Sequence, residues 1–198
     1  MSKIPTILTA EDADRVLNAI RYPKGPGTQT PTSFKNYLCT LIMLDAGLRV
    51  SEVIQLKRFM LWTQGNCVKA LSVPAEIAKL HRERVIPLTT RLETEITFMH
   101  KFMWINCEES QLAYVFHTGR PEHHITARRI QQIVCAAGIA TLGRRVWPHV
   151  LRHTFATRLM RVTSTRVVQE LLGHKNLSST QIYTHPNSQD LVKAITAM

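Results

Sequence analysis

Two arginines, two histidines and one tyrosine of this sequence are of the types needed to attack a phosphodiester bond without a metal ion. His149 and Arg152 lie in PHVLRHTFATRL, His174 lies in the following LLGH, and Tyr183 comes nine residues after it, while Arg49 stands far upstream in GLRVSE. Arginine forks grip phosphate oxygens through paired hydrogen bonds. A phenol can act as nucleophile, and histidines can transfer protons. The set therefore indicates phosphoryl transfer through a covalent tyrosine intermediate.

The segment around Arg152 is predicted to present its polar side chains on one face of a helix. His149 and Arg152 stand at i and i+3, so both can reach one phosphate. For a single arginine, a solvated basic face would be the simpler interpretation. HVLRH also has the histidine spacing of a zinc-protease helix, but Val150 occupies the position of the glutamate base. We therefore predict no metal site, and we interpret His153 as structural.

Tyr183 differs from the other tyrosines in its sequence context. Tyr37 and Tyr114 stand among apolar residues and are interpreted as core residues, whereas Tyr22 precedes a proline in a loop. Tyr183 follows a turn rich in helix-capping residues, so its phenol need not be buried. A lone tyrosine at such a position usually packs against its neighbours, and only its place after the His and Arg motifs favours a role as nucleophile.

The charge balance points to a polyanionic partner. The 198 residues contain 25 lysines and arginines against 14 aspartates and glutamates, a formal net charge of +11. An excess of this size favours nucleic acid, although a soluble protein with a basic surface would have the same total. The sequence contains no long basic amphipathic helix of the kind that binds acidic membranes.

The cysteines and the apolar segments argue against other classes of protein. Cys39, Cys67, Cys107 and Cys135 are widely spaced and form no CxxC pair, which argues against a zinc site and a disulfide framework. The first residues lack the pattern of a signal peptide, and no apolar stretch reaches the roughly 18 residues of a membrane span. We therefore expect a cytoplasmic protein.

The pattern of apolar residues and capping residues predicts an α+β fold that is mainly α-helical, with a small antiparallel sheet. Two segments rich in β-branched residues, Asn66 to Val73 and Arg82 to Leu88, are predicted to pair as an antiparallel ribbon around the connection 74–81. A further short strand is predicted over 114–117. Helices are predicted over 10–20, 33–46, 51–57, 90–106, 126–137 (stopping near Gly138), 149–161 and 165–172, and a short one carries Tyr183.

The joint pattern resembles the tyrosine recombinases, the phage-integrase family of DNA strand-exchange enzymes. The resemblance rests on GLRVSE, HVLR, LLGH and IYTH in this order and spacing, and it extends approximately from Thr9 to Thr184. Each motif alone is weak, whereas the combination is specific. Aligning AKLHRERVIPL on the segment after the family's β-turn implies that Lys79 is the catalytic lysine, with Lys69 as the alternative.

This resemblance implies a mechanism and a role for each matched residue. Tyr183 would attack the scissile phosphate, forming a 3′-phosphotyrosyl bond and releasing a 5′-hydroxyl. The other roles would be phosphate binding by Arg49, Arg152 and His174, protonation of the leaving oxygen by Lys79, and proton transfer at the tyrosine by His149. No metal, ATP or other cofactor would be required. Glu52 would orient the backbone or an arginine, although a neutral role at the edge of the core fits equally well.

The resemblance also implies the partners of the chain. The substrate would be double-stranded DNA, bound by a homo-oligomer, in this family a tetramer, with an accessory DNA-bending or directionality protein. Arginines expected to contact this DNA are Arg82, Arg84, Arg128, Arg129, Arg144 and Arg145.

The domain organisation expected from the sequence is one catalytic domain over residues 1–198, without an N-terminal core-binding domain, as either a minimal recombinase or a fragment of a longer one. The tail 186–198 is weakly amphipathic and would either dock on a neighbouring subunit or fold back on its own core. Two other functions share the fold or the chemistry: a DNA-binding regulator that does not recombine, and an enzyme like the type IB topoisomerases. General nuclease activity is a weaker alternative, because no residue is in place to activate water.

Overall fold

The computed structural model describes residues 7–79, 81–105 and 110–173, and it confirms the mainly α-helical α+β fold. Its helices are α1 (Ala10–Arg21), α2 (Pro31–Asp45), α3 (Val50–Val53), α4 (Thr90–Met99), α5 (Ala127–Leu142), α6 (Pro148–Met160) and α7 (Thr165–Leu172). Short strands form β1 (Trp62–Thr63), β2 (Asn66–Cys67), β3 (Ala70–Val73) and β4 (Arg84–Pro87). In the described part of the chain, no helix has both the length and the apolar character needed to cross a membrane.

Helix α2 is the central element of the core. The Thr30 side chain accepts a hydrogen bond from the Ser33 backbone N–H at its start, and Pro31 occupies the first turn, where its missing N–H costs nothing. Ten of its residues, from Ser33 to Leu44, are buried. Helices α1, α4, α5 and α6 all pack against α2. An apolar helix enclosed in this way holds the elements that follow it in a defined place.

The strands form two separate antiparallel pairs, which corrects the predicted strand over 66–73. Asn66 and Cys67 pair with β1, and only β3 pairs with β4. The reason lies in the two residues Gln64 and Gly65, both with positive φ, which close a tight hairpin immediately before Asn66. Because of this turn, Asn66 and Cys67 pair with β1 and not with β4. The segment 114–117 forms only isolated bridges, Lys57 with Tyr114 and His117 with His124.

Three helix boundaries also differ from the prediction. The helix predicted over 51–57 ends at Val53 and is followed by a 3₁₀ turn over Arg58–Met60. The helix predicted over 90–106 becomes a π-helix over His100–Trp104. Helix α5 continues past Gly138 to Leu142, because Gly138 has ordinary helical geometry and leaves space for Val146, which a Cβ would meet at 2.6 Å.

Gly47, which connects α2 to α3, brings two distant parts of the chain together. Its φ is +65°, and a Cβ at this position would lie 2.2 Å from the Phe155 ring of α6. Only glycine combines this left-handed conformation with so close an approach. The turn thereby places Arg49 beside the helix that carries Arg152.

We expect the Gly47→Ala substitution to destabilise the fold strongly. The left-handed conformation costs an alanine about 1–2 kcal/mol, and overpacking against Phe155 adds about 1–3 kcal/mol. Gly143→Ala is the matched control, because Gly143 has the same φ of +65° with nothing within 4 Å of its Cβ position. Urea unfolding of both variants measures the difference, and equal destabilisation would contradict the assigned contact with Phe155.

Candidate active site

The centre of the candidate site is the buried carboxylate of Glu52. It accepts hydrogen bonds from the Arg49 backbone N–H at 2.8 Å and from the Arg49 guanidinium at 3.0 Å. Arg84 binds both carboxylate oxygens, at 3.2 and 2.7 Å. The Arg152 guanidinium lies 3.9 Å from the same group. One carboxylate therefore has three arginines around it, from the residue that precedes α3, from β4 and from α6.

The charge of Glu52 is maintained although its side chain has no exposed surface. Burial alone would raise the pKa of this carboxyl, but the hydrogen bonds and charge of Arg84, the Arg49 backbone N–H and the charge of Arg152 outweigh burial and lower the pKa. Three guanidinium groups around one carboxylate leave a local excess of two positive charges. An excess of this kind, in a partly desolvated position, suits the binding of an anion such as phosphate.

Arg152 connects α6 to two other parts of the site. Pro148 begins the helix, and Arg152 follows on its second turn with a side chain that is 6% exposed. Its guanidinium donates hydrogen bonds to the backbone oxygens of Gly47 and Leu172, the latter at 2.7 Å. Arg49 is more accessible, with 16% of its side chain exposed. The fold thus brings together the two arginines predicted from the sequence, which are about one hundred residues apart in the chain.

The histidines of α6 have different surroundings. His149 is exposed and lies one turn before Arg152 on the same helix. His153 is half-buried, and burial lowers its pKa, with further lowering by His149 and by the charge of Arg152. His153 therefore carries its positive charge less readily than a free histidine, which suits the structural role we predict for it.

The two candidate lysines lie at opposite ends of the β3–β4 ribbon. Lys79 is exposed on the connection between the strands, at the end where Val73 pairs with Arg84. Lys69 precedes β3 at the other end, where Ala70 pairs with Pro87, and it forms an ion pair with Glu93 at 2.7 Å. Three residues of strand separate these ends by roughly 10 Å. Lys79 therefore lies toward the end of the ribbon that Arg84 anchors to Glu52, and its catalytic role stays a prediction.

The structure corrects the expectation that Arg84 contacts DNA. Strand β4 alternates between buried and exposed residues, and Arg84 lies on the inward face together with Ile86. Only 2% of its side chain is exposed, so it cannot contact DNA from this position. The alternation along RVIP, read together with a buried glutamate in need of a partner, is the sequence signal that could have identified it.

The other arginines expected to contact DNA lie at the surface. Arg128, Arg129 and Arg145 are exposed, whereas Arg144 is partly exposed and lies 3.9 Å from Asp12. Arg82 is exposed and forms an ion pair with Glu170 at 2.9 Å. Their contact with DNA stays a prediction.

The remaining predicted site residues, His174 and Tyr183, lie outside the described residues, as does the tail 186–198. Helix α7 ends at Leu172, and Gly173 terminates it with a left-handed φ of 64°. Within residues 7–79, 81–105 and 110–173, no three side chains of His, Cys, Asp or Glu are grouped so that they could hold a metal ion.

The chain matches one protein family over nearly its whole length. Residues 6–190 match the family described as "Phage integrase family". Tyrosine recombinase XerA of Thermococcus kodakarensis is 33% identical over 192 residues, which cover 96% of this chain and 62% of that protein. Tyrosine recombinase XerD of Vibrio cholerae is 31% identical over 194 residues, covering 96% and 61%. The chain thus spans about three fifths of the length of these relatives.

Solved structures share the fold. A crystal structure of XerA recombinase superimposes with a TM-score of 0.76 at 24% identity, covering 100% of this chain and 66% of the other. A second, described as XerH site-specific recombinase bound to difH substrate in a pre-cleavage complex, has a TM-score of 0.74 at 23% identity, covering 98% and 55%. The elements that position Arg49 and Arg152 therefore belong to a fold found in recombinases.

Proposed function

The chain belongs to the phage integrase family, to which the tyrosine recombinases belong, and from that membership we propose that it breaks and rejoins DNA strands at specific sites. The observation that carries this proposal is the convergence of Arg49 and Arg152 on Glu52. Two guanidinium groups held side by side match the two non-bridging oxygens of a phosphodiester.

In the proposed reaction, Tyr183 supplies the nucleophile. Its phenol oxygen attacks the phosphorus in line with the bond to the 5′ oxygen. The new oxygen–phosphorus bond forms as the bond to the 5′ oxygen breaks, which gives a 3′-phosphotyrosyl strand and a free 5′-hydroxyl. His149 assists removal of the phenolic proton, and Lys79 donates a proton to the departing 5′ oxygen. Rejoining is the reverse sequence, with a 5′-hydroxyl of the same or another strand as nucleophile.

Catalysis in this proposal comes from position and charge. Arg49, Arg152 and His174 hold the oxygens of the pentavalent transition state, where negative charge increases. The phosphotyrosyl bond conserves the energy of the broken phosphodiester, so the cycle consumes no ATP. The residues assigned to the steps supply every proton transfer, so no metal ion is needed.

The assembly that acts on DNA is also part of the proposal. We propose that the chain is a catalytic domain that works on double-stranded DNA as a homo-tetramer in the cytoplasm, at the nucleoid, with an accessory DNA-bending or directionality protein. Exposed arginines of α5, Arg128 and Arg129, together with Arg82, Arg144 and Arg145, would contact the duplex backbone. The tail 186–198 would dock on a neighbouring subunit.

Covalent capture tests the proposed function without knowledge of the target sequence. The chain is incubated with sheared, nicked DNA from its source in the presence of EDTA and denatured, and protein-linked fragments are sequenced. A single enriched sequence linked to Tyr183 is the expected result. Capture that requires a divalent metal contradicts the proposed chemistry, and absence of any linked DNA contradicts the proposed function.

We expect Lys79→Ala to slow strand cleavage about 100-fold, within the range typical of general acid catalysis. A duplex with sulfur in place of the scissile 5′ oxygen should restore the rate, because a thiolate leaves without needing a proton. Lys69→Ala is the matched control, since Lys69 is an exposed lysine of the same ribbon. Slow cleavage of the sulfur duplex by Lys79→Ala, or an equal loss in Lys69→Ala, would contradict the assignment.

A further inference from the structure

Arg84 forms hydrogen bonds to two different parts of the site, the Glu52 carboxylate and the end of α7. Two of its nitrogens bind the two Glu52 oxygens at 3.2 and 2.7 Å, and its Nε donates to the backbone oxygen of Leu171 at 3.1 Å. The neighbouring oxygen of Leu172 accepts from Arg152 at 2.7 Å. The last carbonyls of α7, which lack partners within the helix, are thus held by two arginines of the candidate site.

The end of α7 fits closely around Arg84. Gly173 has a left-handed φ of +64°, and a Cβ there would lie 3.2 Å from the Cδ atom of Arg84. The chain continues from Gly173 directly to His174. Arg84 therefore contacts the point at which the chain leaves α7 toward one proposed catalytic residue, and it stands in the strand that leads from the connection carrying Lys79.

Arg84 also decides how much positive charge the site offers to a phosphate. Without it, the buried Glu52 carboxylate would be balanced only by Arg49 and Arg152, and these are the two groups assigned to the substrate. The local excess of positive charge would then fall from two to one. With Arg84 in a two-point contact on Glu52, Arg49 still hydrogen-bonds to the carboxylate, but the three arginines together keep two net positive charges for an anion.

We propose that Arg84 is a positioning residue for strand cleavage: it neutralises Glu52 and joins α3, the β3–β4 ribbon and the end of α7 into one unit. This inference rests on the proposed function. Arg84 is proposed to touch no substrate; it acts through Glu52 on Arg49, through β4 on Lys79, and through Leu171 on the end of α7.

The test compares Arg84→Met and Arg84→Lys with the unsubstituted chain on a duplex obtained by covalent capture. Single-turnover cleavage and duplex affinity are measured separately, each corrected for the folded fraction from thermal unfolding. We expect Arg84→Met to cleave about 100-fold more slowly, as misplacement of catalytic groups by about 1 Å can do, with affinity changed much less. Arg84→Lys should recover part of the rate, because it restores the charge but not the two-point contact.

Arg21→Met is the matched control for loss of a partly buried arginine. Arg21 forms an ion pair with Glu95 at 2.6 Å, between α1 and α4, and it contacts neither Glu52 nor α7. Its loss should lower stability without a specific loss of cleavage. Equal losses of cleavage in folded Arg84→Met and Arg21→Met would overturn the positioning role.

Two further outcomes separate the inference from the function on which it rests. If the unsubstituted chain forms no adduct on Tyr183, the proposed function fails. If it forms the adduct and folded Arg84→Lys cleaves at the unsubstituted rate, only the positioning role fails. If Arg84→Met does not fold, the comparison is made with Arg84→Lys alone, because lysine keeps the buried positive charge beside Glu52.

Discussion

Tyr183→Phe is expected to abolish the covalent protein–DNA adduct and to leave DNA binding nearly unchanged. The substitution removes only the phenolic oxygen, which in the proposed reaction becomes the bond to phosphorus. The ring and the basic surface are retained, so the phosphate contacts that dominate affinity persist. The measurement is a denaturing gel for the adduct together with a binding titration at constant salt.

Tyr114→Phe is the control for loss of a tyrosine hydroxyl elsewhere. The Tyr114 ring packs edge-on against His124 at 5.1 Å between centroids, a contact that phenylalanine preserves. This variant should form the adduct at the unsubstituted rate. An adduct that survives in Tyr183→Phe, or DNA binding that disappears with the hydroxyl, would contradict the role assigned to Tyr183.

Arg152→Ala is expected to reduce strand cleavage about 1,000-fold, the upper part of the range for removing one transition-state donor. The guanidinium would stabilise charge that increases only as the phosphorus becomes pentavalent, so duplex affinity should fall far less than the rate. The substitution also leaves the buried oxygens of Gly47 and Leu172 without their donor. We expect it to lower the free energy of unfolding by about 2–4 kcal/mol.

Because stability and catalysis both change in Arg152→Ala, the cleavage rate must be expressed per folded molecule. Arg158→Ala is the matched control on the same helix, since the contact of Arg158 with the described residues is a long hydrogen bond of 3.4 Å to the Thr9 oxygen. It should cleave normally. If the unfolded fraction of Arg152→Ala accounts for its whole loss of cleavage rate, Arg152 stabilises the fold and takes no part in the chemistry.

Much of the architecture could be predicted from local patterns. The helices α1, α6 and α7 lie within two residues of their predicted bounds, because capping residues such as Thr9, the first-turn Pro148 and the terminating Gly173 act on their immediate neighbours. The family was recognisable for the same reason: GLRVSE and HVLR are short motifs whose chemistry is contained in the residues themselves. Family membership is confirmed by the match over residues 6–190.

Predictions failed where the outcome depended on a partner outside the segment itself. The segment from Asn66 to Val73 has strand composition throughout, but a hairpin over Gln64 and Gly65 pairs its first half with β1. Gly138 was expected to end α5, but it lies inside the helix, where its lack of a side chain leaves room for Val146. In both cases the deciding partner, β1 or Val146, lies a few residues outside the segment on which the prediction was based.

The side-chain types and their order along the chain, including Arg49, His149 and Arg152, are determined by the sequence alone, because charge and hydrogen-bonding capacity belong to each residue. The convergence of Arg49, Arg84 and Arg152 on Glu52 is decided only by the tertiary structure. The alternation along β4 indicates an inward-facing Arg84, but its partner Glu52 is identified only once the strand packs against α3. Burial then requires a charged partner, and only packing can bring α3, β4 and α6 close enough to supply it.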